Sequence, residues 1–197
     1  MKKEIAFFDF DGTITRKDTL LEFIRYTKGN FGYYVGFGIN LPFLLAYKLR
    51  IIANQSAKER VLKFFFRGTK VEDFKKMCED FGRRVIPGLV RSKALEEITR
   101  LKSQDVIVVV VSASPENWII DWAKQLGVEL IGSRLEISEG RVTGKIIGKN
   151  CHGDEKVVRI KQVYDLANYN VVAAYGDSEG DKVMLALAQQ AYYKPFT

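Results

Sequence analysis

Three unbroken apolar runs constrain this chain more than anything else in it: Ile5-Ala6-Phe7-Phe8, Val106-Ile107-Val108-Val109-Val110-Val111 and Val171-Val172-Ala173-Ala174-Tyr175. Runs without polar alternation are strands covered on both faces, as inside a parallel sheet. Each ends abruptly in a polar tip: Asp9-Phe10-Asp11-Gly12, Ser112-Ala113-Ser114-Pro115 and Gly176-Asp177. Around the second run lie segments of helical spacing, with Leu95, Ile98 and Leu101 before it and Trp118, Ile119, Trp122 and Leu126 after it. A short strand at 128–131, a hairpin around Glu139-Gly140, a helix from Asp154 with Val157, Ile160 and Val163 inward, a helix at 182–189 and a strand at 191–193 complete the pattern. Strand–helix alternation of this kind predicts an α/β fold with a doubly wound, Rossmann-like parallel sheet.

Between the first two runs the texture is helical. Asp18 is an N-cap candidate before Thr19-Leu20-Leu21-Glu22, and Ser56-Ala57-Lys58-Glu59 has the form of a capping box. Val71 to Val85 has Phe74, Met77, Cys78 and Phe81 at helical spacing, and Pro87-Gly88 marks the return of the chain. The predicted division is an α/β core of residues 1–15 and 86–197 with an α-helical insertion at 16–85. Gly29 to Tyr47 holds no charged residue and many aromatics. Its glycines and Pro42 argue against a membrane span and for one or two packed helices, or for an interfacial patch touching lipid or an apolar substrate group.

The net charge of +7 points to anionic partners. Lysines and arginines are scattered without a block, so nucleic acid is not expected as a partner. Cys78 and Cys151 are too few for a disulfide framework and lack metal-ligand spacing, so both are expected to stay reduced. With no apolar leader at the N-terminus, a cytoplasmic location is expected. The single histidine, His152, excludes a mechanism that needs two.

Carboxylates at the end of a buried strand are costly unless a cation or hydrogen-bond donors meet them. In an open parallel sheet, ligands bind beyond the carboxyl ends of the strands where strand order reverses. With the first run central and the other two beside it, Asp9, Asp11 and Asp177 converge into a hard-oxygen site suited to Mg2+. Lys156, at a helix start, balances the excess of carboxylates and binds an anion. Taken singly, each residue has an ordinary reading: a turn, a helix cap, a surface lysine. Their convergence on one rim favours a site.

Asp9-Phe10-Asp11-Gly12-Thr13, Ser112, Lys156 and Gly176-Asp177-Ser178-Glu179-Gly180-Asp181 stand in the order of the four motifs of the haloacid dehalogenase superfamily, which the chain resembles over nearly its whole length. The insertion resembles the small cap of the phosphoserine-phosphatase-like branch. The resemblance implies a phosphomonoester hydrolase with Asp9 as nucleophile and Asp11 as general acid and base. It implies Mg2+ held by Asp9, Asp177 and the backbone carbonyl of Asp11, with Asp181 behind them. Ser112 and Lys156 would bind the phosphoryl oxygens. Dehalogenases of this fold lack the second aspartate, so Asp11 favours phosphoryl transfer.

The substrate implied is a small phosphorylated metabolite, phosphoserine-like or related, with Asp18, Arg60 and Ser114 as candidate contacts. Asp18 stands where phosphoserine phosphatases carry a glutamate facing the substrate amine, and Arg60 matches their carboxylate-binding arginine. Gly12, Ala113-Ser114 and Gly180 depart from that pattern. The uncharged 29–47 stretch supports a different reading, a lipid-headgroup phosphatase with peripheral membrane contact. Transfer to an acceptor other than water is compatible with the same residues, and a non-catalytic phosphate-binding module is disfavoured because the catalytic positions are intact.

Overall fold

A computed structural model of the chain describes residues 2–49 and 51–196. Its strands are β1 (Lys3–Phe8), β2 (Ile107–Pro115), β3 (Glu129–Ser133), β4 (Leu135–Ser138), β5 (Arg141–Ile146), β6 (Tyr169–Gly176) and β7 (Gln190–Tyr193). Five of them form one sheet in the order β3-β2-β1-β6-β7, with every neighbouring pair parallel. β1 is central, so the strands that carry Ser112 and Gly176 flank it as the sequence predicts.

The alternation of β1 shows why it lies there. Ile5 and Phe7 face one side with Val109, Val111, Val171 and Ala174. Ala6 and Phe8 face the other with Val108, Val110, Ala173 and Tyr175. Both faces are therefore buried, which only a central strand between two helical layers can achieve. The first face is covered by α7 (Asp154–Val163) and α8 (Lys182–Leu185) through Ile160, Met184 and Leu185. The second is covered by α5 (Ser92–Ser103) and α6 (Glu116–Leu126) through Ile98, Leu101, Trp118 and Ile119.

Between β1 and α5 the chain is helical, with α1 (Thr19–Lys48), α2 (Asn54–Phe66) and α3 (Val71–Arg84) in the expected insertion and the single turn α4 (Ile86–Leu89) following it. α1 breaks at Gly29, where φ is 66°, so the expected two helices are two arms of one element. Backbone hydrogen bonds from Arg16 to Leu89 and from Arg91 to Ile14 clip the outgoing and returning chain together. Phe23 is the insertion's anchor. Its ring centroid lies 5.2 Å from those of Phe66 and Phe81, 5.8 Å from that of Phe74 and 4.7 Å from that of Trp118 on the core helix α6.

Several local expectations change. α2 begins at Asn54, with Ala53 as N-cap, so Ser56–Glu59 lies inside the helix and is not a capping box. Glu59 instead accepts from Ile146 N at 3.2 Å, tying α2 to the hairpin β4–β5. That hairpin also bonds the insertion through Gly68 N to Val142 O and Val142 N to Thr69 O. Gly144 makes the approach possible, since a Cβ there would fall 2.5 Å from Lys63 Cα. Val163 is 57% exposed, and Lys156 and Ile160 form the inward face of α7. Leu95 is exposed and Ala94 takes its place inward, while α8 stops after Leu185. Cys78 and Cys151 are free and buried.

Phe23→Ala removes the ring that joins four other aromatics across the insertion and α6. It is expected to lower the urea unfolding free energy by about 3–5 kcal/mol, the usual cost of deleting a buried phenylalanine ring. A loss below about 1 kcal/mol would show that the insertion is held elsewhere.

Candidate active site

The site forms where β1, β2 and β6 end. Asp9 continues β1 by donating its N–H to Tyr175 O at 2.8 Å. The chain then turns sharply at Gly12, where φ is 85° and a Cβ would lie 2.4 Å from Asp177 Oδ2. Only glycine meets both conditions, and the turn brings Asp9, Asp11 and Thr13 to one rim. Thr13 Oγ1 lies 3.0 Å from Asp9 Oδ2 and 3.3 Å from Asp177 Oδ1, linking the tips of β1 and β6.

Lys156 closes the constellation from α7. Its Nζ donates to Asp9 Oδ1 at 2.5 Å, Asp181 Oδ1 at 2.6 Å and Val111 O at 2.9 Å. An ammonium has three protons, and each has an acceptor. Burial opposes its charge, yet the carboxylates of Asp9 and Asp181 outweigh that and hold its pKa above the ordinary lysine value. Asp181 Oδ2 in turn accepts from Ser178 N, Ser178 Oγ and Asp177 N. Burial raises the Asp181 pKa, but Lys156 and the Ser178 donors prevail and leave it below the usual carboxylate range.

Asp9 and Asp177 behave differently. Burial is the main cause that raises the Asp9 pKa to about 7, with Lys156 opposing and Asp181 adding repulsion. Burial and Asp181 also raise that of Asp177. Carboxylate oxygens of Asp9, Asp177 and Asp181 gather within 4.8 Å of one another. Both oxygens of Asp181 are taken by Lys156 and Ser178, whereas Asp9 Oδ2 and Asp177 meet the Thr13 hydroxyl and the Gly12 turn, so these are the oxygens that could hold a cation. A hard-oxygen donor set, with negative charge in excess of its one buried ammonium, fits a divalent ion such as Mg2+.

Asp11 lies two residues along, with its carboxyl turned away from that cluster. Oδ1 accepts from Thr19 N and Thr19 Oγ1, both at 2.6 Å, and Oδ2 accepts from Ser114 Oγ at 2.6 Å and Ser112 Oγ at 3.4 Å. Trp118 Nε1 donates to Thr19 Oγ1 at 3.1 Å and fixes that hydroxyl. Ser112 Oγ also accepts from Ser114 N at 3.0 Å. Ser112 thus orients the β2 tip beside Asp11 and does not cap α6.

A cleft of about 330 Å³ opens onto Asp9 and Asp11. Asp18 lines it while its carboxylate accepts from Leu21 N at 3.1 Å, so it is both an N-cap and a wall of the cleft. Arg60 is not brought to the cleft. Its Nε contacts Asn40 Oδ1 at 3.3 Å and its guanidinium carbon lies 4.3 Å over the Phe43 ring. The α2 cation that does line the cleft, beside Lys156 of α7, is Lys58, whose Nζ donates to Ala113 O at 3.0 Å. Two positions apart on a helix is roughly 200° of rotation, so both residues cannot face inward. Burial lowers the Lys58 pKa, with Asp11 and Asp18 opposing. Asn54, Ala57, Lys58 and Val61 all line the cleft at helical spacing, a periodicity present in the sequence but hidden behind the apparent capping box. His152 is the other unforeseen lining residue. Its ring rests where Gly180 lacks a side chain, since a Cβ there would fall 2.2 Å from the imidazole.

Known proteins are similar to this chain in sequence and fold. The family model for haloacid dehalogenase-like hydrolases matches residues 6–186. Protein CicA of Caulobacter vibrioides is 33% identical over 193 residues, 96% of this chain and 85% of CicA. Phosphoserine phosphatase SerB1 of Mycobacterium tuberculosis is 25% identical over 195 residues, 94% of this chain and 63% of that protein. A protein of unknown function from Bordetella pertussis Tohama I has the same fold, with a TM-score of 0.82 at 22% identity over 94% of this chain and 87% of the other. A phospho-aspartyl intermediate analogue of phosphoserine phosphatase superposes with a TM-score of 0.63, also at 22% identity, covering 95% and 84% of the two chains. With its family model matched over residues 6–186 and CicA 33% identical over 96% of the chain, the chain belongs to the haloacid dehalogenase-like hydrolases.

Proposed function

We propose that this hydrolase is a Mg2+-dependent phosphomonoester phosphatase that works through an aspartyl phosphate on Asp9. The observation that carries the reading is the pairing of two unlike carboxylates two residues apart. Asp9 faces the cation-binding cluster, while Asp11 is held by hydroxyls at the other side of the cleft. The name of the phosphoserine phosphatase relative supports the same class of reaction.

The steps follow from those environments. Asp9 attacks phosphorus, its other oxygen held by Lys156, and the ester oxygen leaves with a proton from Asp11. Asp11 then takes a proton from the water that attacks the acyl phosphate, releasing phosphate and regenerating Asp9. The donors around Asp11 suit this exchange. Thr19 and Ser114 hydroxyls donate to the carboxylate and can equally accept from the acid. Mg2+, held by Asp9, Asp177 and the Asp11 carbonyl, would supply charge neutralisation at the transferring phosphoryl group. Lys156 fixes Asp9 and compensates its charge as the acyl phosphate forms, and Ser112 holds the β2 tip where phosphoryl oxygens bind. The insertion, as a cap, shields the cleft from water, and Asp18 and Lys58 supply its polar contacts, while Ser114 is buried behind Asp11. Without Arg60 in the cleft, a phosphoserine-like substrate lacks the carboxylate partner that its position in the sequence implies.

Hydrolysis of p-nitrophenyl phosphate with MgCl2 tests the reading. Asp9→Asn is expected to abolish turnover, and Asp11→Asn to lower kcat by about 10²–10⁴-fold, the usual share of general acid–base catalysis. Turnover surviving in Asp9→Asn would contradict it.

The cation site predicts a pH-dependent stabilisation. Because the folded Asp9 pKa is raised from 3.8 to about 7, ionising it costs the folded state, so its contribution to stability falls as pH rises between those values. A bound cation removes that cost but competes with the proton below pH 7. The rise in Tm on adding MgCl2 is therefore expected to be larger at pH 8 than at pH 6. An equal rise at both, or none, would mean that Asp9 does not hold the ion.

A further inference from the structure

The second arm of α1, residues 30–48, does more than pack. Its inner face carries Tyr33, Gly36, Phe37, Asn40 and Leu44 toward the insertion's core, with a Cβ on Gly36 falling 2.2 Å from the Phe65 ring. Its outer face is the anomaly. Phe31 is 84% exposed, Tyr34 66%, Ile39 56%, Leu41 52% and Leu45 50%, and Leu49 follows at 70%. A surface helix ordinarily turns charged residues to water, and this one has none between Gly29 and Tyr47. A contiguous apolar surface of this kind marks a contact site.

The charge around it identifies what it contacts. No acidic residue occurs between Glu22 and Glu59, whereas Arg25, Lys28 and Lys48 bracket the arm along the chain. A second copy of the chain would bring these cations against their own kind, while an anionic lipid surface pairs with them. Among the described residues no helix is long and apolar enough to cross a membrane, so the arm suits the plane of the interface. Its inner edge then becomes significant. Phe37, Leu44 and Tyr47 wall the cleft that opens onto Asp9, giving an apolar path from the exposed face to the paired carboxylates.

We propose that this arm seats the protein on an anionic bilayer, and that the phosphomonoesters reaching Asp9 are those of amphiphiles held there. The docking half stands on the surface alone. The substrate half rests on the phosphatase reading above.

Cosedimentation at low salt with phosphatidylcholine vesicles, with and without phosphatidylglycerol, tests the docking half. The combined variant Phe31→Asp, Ile39→Asp, Leu45→Asp changes only outward residues and none that line the cleft. Wild type is expected to pellet with the phosphatidylglycerol vesicles, and the variant to bind at least about tenfold more weakly as apolar area is lost and negative charge gained. The variant should hydrolyse p-nitrophenyl phosphate at the wild-type rate yet lose about tenfold or more on lysophosphatidic acid in those vesicles. Wild type remaining in the supernatant, or the variant pelleting equally, overturns docking. So does a wild-type dimer that the variant abolishes, with neither protein binding vesicles. Vesicle binding without p-nitrophenyl phosphate hydrolysis supports docking and overturns the substrate half through the phosphatase reading. Binding with hydrolysis, but with no preference for lysophosphatidic acid over glycerol 3-phosphate, overturns the substrate half alone.

Discussion

The buried ammonium of Lys156 is the contact on which the site depends. It joins four parts of the chain: α7, the tip of β1 through Asp9, the tip of β2 through Val111 and the loop after β6 through Asp181. At 1% exposure it has no water to fall back on, and removing one partner of such a buried ion pair typically costs about 3–5 kcal/mol. Its acceptors divide the labour among the carboxylates. Asp181 is saturated by Lys156 and Ser178, which leaves Asp9 and Asp177 with charge to share. One lysine thereby fixes the anchor and leaves carboxylate oxygens that could hold a cation.

Around that contact the backbone is shaped by missing side chains. Gly12 lets the β1 turn pass under Asp177, and Gly180 leaves space for His152. Gly176 does the same for Asp181, where a Cβ would fall 2.5 Å from the aspartate's own. Each glycine brings a strand tip or loop closer to its neighbour than any larger residue allows. The crowding that results desolvates Asp9, and desolvation is the main reason its pKa is raised.

The strands and their polar tips were legible in the sequence because both signals are local. An unbroken β-branched run identifies a central strand, and Asp9, Asp11, Ser112 and Asp177 sit where such runs stop. Lys156 was legible only through order along the chain. What sequence could not deliver was which face of a helix meets what. Lys58 and Arg60 are two residues apart on α2, and only the packed neighbours decide that the first lines the cleft while the second stacks on Phe43. The Ser56–Glu59 pattern misled for a related reason. Glu59 is used across space, on the hairpin at Ile146, and not along its own helix. The hairpin's pairing with 68–71 is likewise a long-range contact with no local signature.

The asymmetry between Asp9 and Asp11 is the centre of the proposed mechanism, in which one carboxylate attacks and the other moves the proton. The most direct measurement is rapid acid quench of a single turnover followed by peptide mass spectrometry. A phosphoryl group on the peptide containing Asp9, absent in Asp9→Asn and accumulating in Asp11→Asn with an activated aryl phosphate, is the result predicted. Turnover with no phosphorylated peptide under those conditions, or with the phosphoryl group on another residue, would contradict it.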